Sequence, residues 1–331
     1  MKEIILDNVC RSYRVPMKGS NFAEYLFRRK YRQIEAVKGL TFDISAGETV
    51  GLVGPNGAGK STTIKILTGV LSPSSGKVQV FGRDPFEDRK ENAKQIGVLF
   101  GQRSQLWWDL PPEDTFMVLK RVYKIPDSIY RQNLEKYSKI LGAEEFLKQP
   151  VRQLSLGQRM RAEILAILLH NPKVLFLDEP TIGLDVAVKK QIRNLLRMIN
   201  QETGATILLT SHDMKDIASV CERMIVIDKG KLAVDDSVEN VKRRYGTKET
   251  IEIEVEGEGV EGKKLLFPPQ IRSVVEGNVI KCSYDLRDIN AATVIQEVVS
   301  KYRIVDVKVK EADIDDVVEE IYGESKVDKV N

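Results

Sequence analysis

Two regimes of apolar spacing divide this chain near Tyr245-Gly246. Before that point, short unbroken apolar runs alternate with longer stretches of helical period, which predicts a mixed or parallel sheet with helices. Val50-Gly51-Leu52-Val53 and Val174-Leu175-Phe176-Leu177 end in turn or acidic residues and read as buried parallel strands. Thr206 to Thr210 and Met224 to Ile227 read the same way, and residues 112–149 read as helical with breaks at Pro126 and Gly142. Beyond Gly246 the spacing changes. Ile251, Ile253 and Val255 alternate with glutamates, the mark of a strand with one wet face. A Gly- and Glu-rich loop follows, then strands near 271–284 and a helix from Asp288 to Lys301 with Asp288 as its N-cap. A strand at 304–309 and an amphipathic helix from about 313 to 322 complete a small α+β domain, residues 246–331, after a large α/β domain, residues 1–245.

A length of 331 residues suits one large plus one small domain. With 42% hydrophobic and 30% charged residues, the composition is that of a soluble globular chain. The longest apolar runs, such as Ile164 to Leu169, fall far short of the roughly 20 residues a membrane helix needs. Met1-Lys2-Glu3-Ile4 lacks the layout of a signal peptide. A cytosolic chain is therefore expected, with any membrane role exerted through partners. Cys10, Cys221 and Cys282 form no CxxC pair, which argues against a disulfide framework or a zinc site. The charge is unevenly spread. Residues 246–331 carry 12 basic and 19 acidic side chains, leaving a net +10 on the rest. A basic body suits a polyphosphate, an anionic membrane surface or nucleic acid, and charge alone does not choose among them.

The chemistry comes from three motifs. Gly54-Pro55-Asn56-Gly57-Ala58-Gly59-Lys60-Ser61-Thr62 matches GxxxxGK[ST], after a predicted strand and before a predicted helix, the context that marks a P-loop. Its glycines let backbone N–H groups curl around a phosphate, and the helix N-terminus adds partial positive charge. Lys60 is expected to reach the β- and γ-phosphates, and the Ser61 hydroxyl to ligate Mg²⁺. The strand Val174 to Leu177 runs into Asp178-Glu179, a Walker B pattern. Asp178 is assigned to Mg²⁺ and Glu179 to general base for the attacking water. A helix-capping role for this carboxylate pair loses its force once the P-loop is accepted, because the sheet is expected to set this strand beside the P-loop strand.

The family is carried by Leu154-Ser155-Leu156-Gly157-Gln158-Arg159, which resembles the LSGGQ signature of ABC ATPases and lies shortly before the Walker B strand. Leu156 replaces the middle glycine, while Ser155 and Gly157 are kept at the start of a predicted helix, a second anion-binding N-terminus. The resemblance implies a P-loop ATPase of ABC type, with a core parallel sheet, an antiparallel β subdomain and a helical subdomain at about 103–165. It also implies that a second ATPase subunit, identical or different, supplies Ser155, Gly157 and Gln158 across a dimer that closes around ATP. Other family positions follow in order. Gln102 stands where the Q-loop glutamine contacts Mg²⁺ and the attacking water. Gly183-Leu184-Asp185 looks like the D-loop, and His212 in Thr210-Ser211-His212-Asp213 like the histidine that senses the γ-phosphate. His170 has no such context and reads as a helix-end residue. Tyr13 resembles the aromatic that stacks on adenine, with Tyr25 and Tyr31 as alternatives.

An insert at about 16–34 places Phe22, Tyr25, Leu26 and Arg29 at helical spacing before a basic cluster. It reads either as a surface helix packed on its own domain or as a contact with the membrane face or a partner. Trp107-Trp108 lie just after Gln102, where the family grips its transmembrane permease, although core packing is the plainer reading. The C-terminal domain resembles the accessory domain of ATPase subunits from exporters of the drug and daunorubicin-resistance type. The expectation is thus an ATPase subunit using ATP and Mg²⁺, peripheral on the inner face of the membrane, driving separate permease subunits for export. An importer subunit with a regulatory C-terminal domain is the rival. Nucleic-acid-related ABC ATPases are disfavoured, because the chain has one P-loop and no heptad tract.

Overall fold

The computed structural model describes residues 1–16, 31–101, 104–245, 248–257, 267–311, 317 and 321. The chain divides into two compact units, Met1–Asp236 and Ser237–Asn331.

In the first unit, the long strands β1 (Lys2–Pro16) and β2 (Tyr31–Ser45) form an antiparallel ladder, and β4 (Ser75–Val80) joins β1 on its other side. Alternating Ile4, Leu6, Phe42 and Ile44 point into the core from this ladder. The second sheet has six strands in the order β5-β6-β7-β3-β8-β9. Here β3 is Thr49–Val53, β5 Ile96–Phe100, β6 Val174–Asp178, β7 Thr206–Thr210, β8 Arg223–Asp228 and β9 Lys231–Ser237. Pairings from β5 through β8 are parallel, and β3, β6 and β7 are buried along nearly their whole length, as strands covered on both faces are. Sequence reasoning set β6 directly beside β3. The structure inserts β7 between them, because Leu177 pairs with Leu209 and Gly51 with Leu209 on the opposite edge.

Nine helices are described. They are α1 (Lys60–Leu67), α2 (Arg89–Ala93), α3 (Pro112–Val122), α4 (Asp127–Leu141), α5 (Leu156–Leu168), α6 (Val186–Thr203), α7 (Met214–Val220), α8 (Val238–Tyr245) and α9 (Ala291–Val299). The breaks expected at Pro126 and Gly142 stand at the start and end of α4, with Gly142 taking a left-handed C-cap. His170, just past α5, is more than a helix-end residue. Its ring stacks on Tyr123 at 4.2 Å and its Nε2 bonds the Ile96 carbonyl at 3.0 Å, while burial pulls its pKa down.

The ends of the 16–34 insert are strand, pairing Pro16 with Tyr31 and Val15 with Arg32, and its helix-spaced residues lie outside the described ones. In the second unit, β10 (Lys248–Val255), β11 (Arg272–Glu276), β12 (Val279–Asp285) and β13 (Ile304–Glu311) form an antiparallel sheet in the order β11-β12-β10-β13. Ile251, Ile253, Ile280 and Cys282 pack on Val294 and Val298 of α9. The expected helix from Asp288 starts later. Asp285 holds residues 287–289 in a turn, and Asn290 caps Thr293 N at 3.0 Å. Of the final helix expected at 313–322, only Val317 and Ile321 are described, both buried.

Candidate active site

The carboxyl ends of β3, β6 and β7 lie side by side, the usual place for a ligand in a parallel sheet. From β3 the chain enters the loop 54–59 and then α1. Gly59 stands before α1 at φ +112°, and a Cβ there would come within 2.6 Å of the Ala36 carbonyl oxygen. Glycine is therefore required by both backbone and space. No side chain caps α1, and an uncapped helix N-terminus of this kind suits an anion. Lys60 is buried within this loop and donates from Nζ to the Gly54 and Pro55 carbonyls at 2.5 and 3.1 Å. Ser61, Asn56 and Gly57 are exposed at the rim, while Ala58 is buried beneath it. Tyr13 of β1 reaches Thr62, hydroxyl to hydroxyl at 3.5 Å, and the Arg11 guanidinium lies 5.1 Å from its ring centre. Tyr31, at the exposed end of the β1–β2 ladder, lies opposite Pro16, well removed from that pair along the strand, and Tyr25 is outside the described residues.

Thr210 of β7 organises the acidic end of β6. Its Oγ1 donates to Asp178 Oδ1 at 2.7 Å and accepts from Glu179 N at 3.0 Å. Glu179 has φ +55°, a conformation that costs a non-glycine residue and that recurs where side-chain aim matters. Its Oε1 meets His212 Nε2 at 2.6 Å. The structure thus joins Glu179 with His212 directly, and joins both to Asp178 through β7. Gln102 lies outside the described residues.

The residues 154–158 form a different kind of helix start. Ser155 is the N-cap of α5 and accepts from Gln158 N at 3.2 Å, while the Gln158 side chain accepts from Ser155 N at 2.9 Å, a reciprocal capping box. Leu156 is exposed and lies over Gly183, where a Cβ would meet it at 3.0 Å. Asp185 caps α6 by accepting from Val188 N at 2.9 Å. Hence the positions 155–158 and 183–185 adjoin within one chain.

Three residues that sequence reasoning passed over hold this region together. Thr210 is one. Buried Asp216 is another, accepting from Thr181, from Ser211 at 2.9 Å and from Arg193 at 3.1 Å, and so tying together the segments after β6 and β7. Glu163 is the third, a buried carboxylate on α5 that accepts from Ser104 and Gln105. The signal for Glu163 was an acidic residue set against the apolar run that begins at Ile164. Trp107 and Trp108 do not pack inside. They are 47% and 54% exposed, and Leu110, Met117, Val118 and Val122 are exposed on the same stretch of chain. Beside them β5, α3 and α5 border a recess of about 320 Å³ lined mainly by apolar side chains.

Comparison with known proteins bears on all of this. The ABC transporter family matches residues 37–182. The chain is 30% identical over 230 residues to the linearmycin resistance ATP-binding protein LnrL of Bacillus subtilis, covering 70% of this chain and 73% of that one. It is 27% identical over 285 residues to the methionine import ATP-binding protein MetN 2 of Enterococcus faecalis, covering 84% and 82%. The fold is similar to the dimeric ATP-binding cassette MJ0796 in a post-hydrolysis state with ADP and Pi. That match has a TM-score of 0.60 and 27% identity, and covers 71% of this chain and 98% of that one.

Proposed function

This chain belongs to the ABC transporter family of ATP-binding subunits and is an ATPase, and on that premise we propose that two such subunits close head-to-tail around two ATP molecules to drive separate permease subunits. The observation that carries the catalytic part is the contact between Glu179 Oε1 and His212 Nε2 at 2.6 Å, held at the strand ends by Thr210. In this reading Glu179 takes a proton from water as the water oxygen bonds to the γ-phosphorus. The bond to the β-phosphate oxygen breaks, and ADP and phosphate leave. His212 aligns Glu179 and senses the γ-phosphate, while Lys60 and the N–H groups of α1 hold the phosphates. The oxygen donors present suit a magnesium ion. Ser61 offers an exposed hydroxyl, and Asp178 has one carboxylate oxygen on Thr210 and, among the described residues, none on the other. Magnesium bound there would neutralise phosphate charge.

The permease is assigned to the surface near Trp107 and Trp108, where exposed aromatics and aliphatics adjoin an apolar recess. Among the described residues no helix is long and apolar enough to cross a membrane. In this reading the chain acts at the inner face through its permease partners. Export is favoured by similarity to a resistance ATPase subunit, since removing an antibiotic from the cell is one way to resist it. Similarity to a methionine import subunit over 84% of this chain supports the second reading, an importer subunit whose C-terminal unit regulates it. The dimer is tested with the Glu179→Gln chain by size exclusion. It should run as a dimer with Mg²⁺-ATP and mainly as a monomer with ADP. A monomer at high concentration with ATP contradicts the reading.

A further inference from the structure

Ser155, Arg159 and Glu163 fall four residues apart along the start and body of α5, so they share one face of that helix. Ser155 is its N-cap. The other two side chains grip a single segment of chain. Glu163 is 4% exposed, and among the described residues it has no cationic partner; what it holds is chain. Its carboxylate accepts from the Ser104 hydroxyl and from Gln105 N at 3.1 and 3.3 Å, and Leu106 N in turn donates to Ser104 Oγ at 3.2 Å. Burial pushes the Glu163 carboxyl up, against the pull of these donors. A buried carboxylate without them would be costly, so the segment and the helix stabilise each other. One turn earlier, the Arg159 guanidinium lies 5.9 Å from the Trp108 ring centre. Trp108 is held from a second side as well, its carbonyl accepting from Arg152 N at 2.9 Å. Upstream, Gly101 passes so close to the Walker B end that a Cβ there would lie 2.6 Å from the Asp178 carbonyl oxygen. The chain from 104 to 108 is therefore fastened to α5 by side chains, and its approach is fastened to β6 by close packing.

We propose that Arg159 and Glu163 are positioning residues that clamp segment 104–108 to α5, so that the Trp107–Trp108 step moves with Ser155 when Ser155 engages ATP held by a second subunit. The clamp rests on the proposed placement of Ser155 at a partner's γ-phosphate. It does not require Trp107 and Trp108 to touch a permease. The two arms of the helix face then have distinct tasks. Its N-terminus meets the nucleotide, and its next two turns carry the consequence to an exposed aromatic surface.

The chain contains only two tryptophans, so emission excited at a wavelength that its ten tyrosines do not absorb reports on this segment alone. The full chain carrying Glu179→Gln is titrated with Mg²⁺-ATP or Mg²⁺-ADP while tryptophan emission, acrylamide quenching and light-scattering mass are followed. ATP should change emission and quenching together with dimer formation, and ADP should not. Adding Glu163→Ala should remove at least about half of the ATP-induced emission change at an unchanged dimer mass. Glu163→Gln, which keeps one acceptor oxygen, should restore most of it. Should Glu163→Ala fail to fold, Arg159→Ala and Ser104→Ala carry the same test, because both positions reach solvent and in Ser104→Ala the Glu163 carboxylate keeps its bonds from Gln105 N. A full-sized emission change in the dimers of Glu163→Ala, or of both surface variants, overturns the clamp and leaves the ATP dimer standing. So does a parent dimer whose emission does not respond to ATP. A parent chain that stays monomeric with ATP overturns the head-to-tail reading, and the clamp falls with it.

Discussion

Two helix N-termini in this chain are proposed to meet phosphate, and they are built in opposite ways. At α1 no side chain caps the helix, Gly59 takes a left-handed turn before it, and Lys60 is folded under the loop with its ammonium on two carbonyls. At α5 the helix caps itself, with Ser155 and Gln158 satisfying each other's backbone N–H groups. The first arrangement has no side-chain cap, the kind of helix start proposed above to hold phosphate within one chain. The second has two of its N–H groups, those of Ser155 and Gln158, satisfied by side chains. Its Ser155 hydroxyl accepts from Gln158 N, which leaves its own O–H free to donate. A self-capped helix start is stable without a ligand and can wait on the surface for a phosphate held elsewhere. The difference suggests a division of labour, with binding at residues 54–62 and closure at residues 155–158.

Glu179 depends on both ends, and changing it has the largest expected effect. Glu179→Gln should cut ATP turnover by roughly 10²- to 10⁴-fold while leaving ATP binding intact, the usual worth of a general base. Steady-state phosphate release and nucleotide binding, measured on the same preparation, check this. Turnover at the normal rate would remove Glu179 from the base role. It would also leave the strained backbone at φ +55° and the contact with His212 without a catalytic purpose.

The division of labour itself is broken or upheld by a matched pair of changes. Lys60→Ala removes a charge-assisted donor, worth about 1.5–3 kcal/mol, and should weaken nucleotide binding on the order of 10- to 100-fold. Ser155→Arg, added to Glu179→Gln, fills the place of the γ-phosphate with bulk. It should abolish the ATP dimer by size exclusion and spare ATP binding in the monomer. If Ser155→Arg weakens binding to the monomer as Lys60→Ala does, the two helix starts serve one site in one chain. If the dimer survives, its interface lies elsewhere.

How much of this was legible in the sequence follows the same line between local and non-local chemistry. The loop 54–62 and the helix start at Ser155 are contiguous, so residue types and spacing were enough to mark them, although not the reciprocal cap between Ser155 and Gln158. The β10 strand was legible because Ile251, Ile253 and Val255 alternate with glutamates on a two-residue period. Strand order is different, since nothing local says that β7 slides between β3 and β6. With that insertion went Thr210, whose hydroxyl links Asp178 to Glu179 across strands far apart in the chain. Asp216 and Glu163 were hidden for a related reason. Each is an acidic residue on a helix whose partners, Thr181 and Arg193 in one case and Ser104 in the other, come from distant segments. The helix start at Asn290 was misplaced because Asp288 is an equally good cap by type, and only the turn held by Asp285 decides between them.

The smallest change bears on whether the α5 cap is a structural device or a ligand contact in waiting. Gln158 was assigned to the nucleotide by resemblance, yet its side chain is spent on Ser155 N at 2.9 Å. Gln158→Ala removes one neutral hydrogen bond at a solvent-facing helix start, worth about 1 kcal/mol. In a domain of this size that corresponds to a fall in melting temperature of about 2–4 °C. If Gln158 acts through the cap, the drop should appear in the nucleotide-free chain, and the ATP dimer of the Glu179→Gln chain should weaken only slightly, because Ser155 keeps its hydroxyl. If Gln158 instead leaves the cap to touch nucleotide in the dimer, the larger effect moves to the dimer. The melting temperature without nucleotide still falls by the worth of the cap, but the ATP concentration needed for the dimer rises severalfold. Thermal melting without ATP and a dimer titration with ATP, on one pair of proteins, separate the two. The first outcome keeps α5 as a helix that is complete alone, in contrast to α1, and the second makes both helix starts unfinished until the nucleotide is closed between subunits.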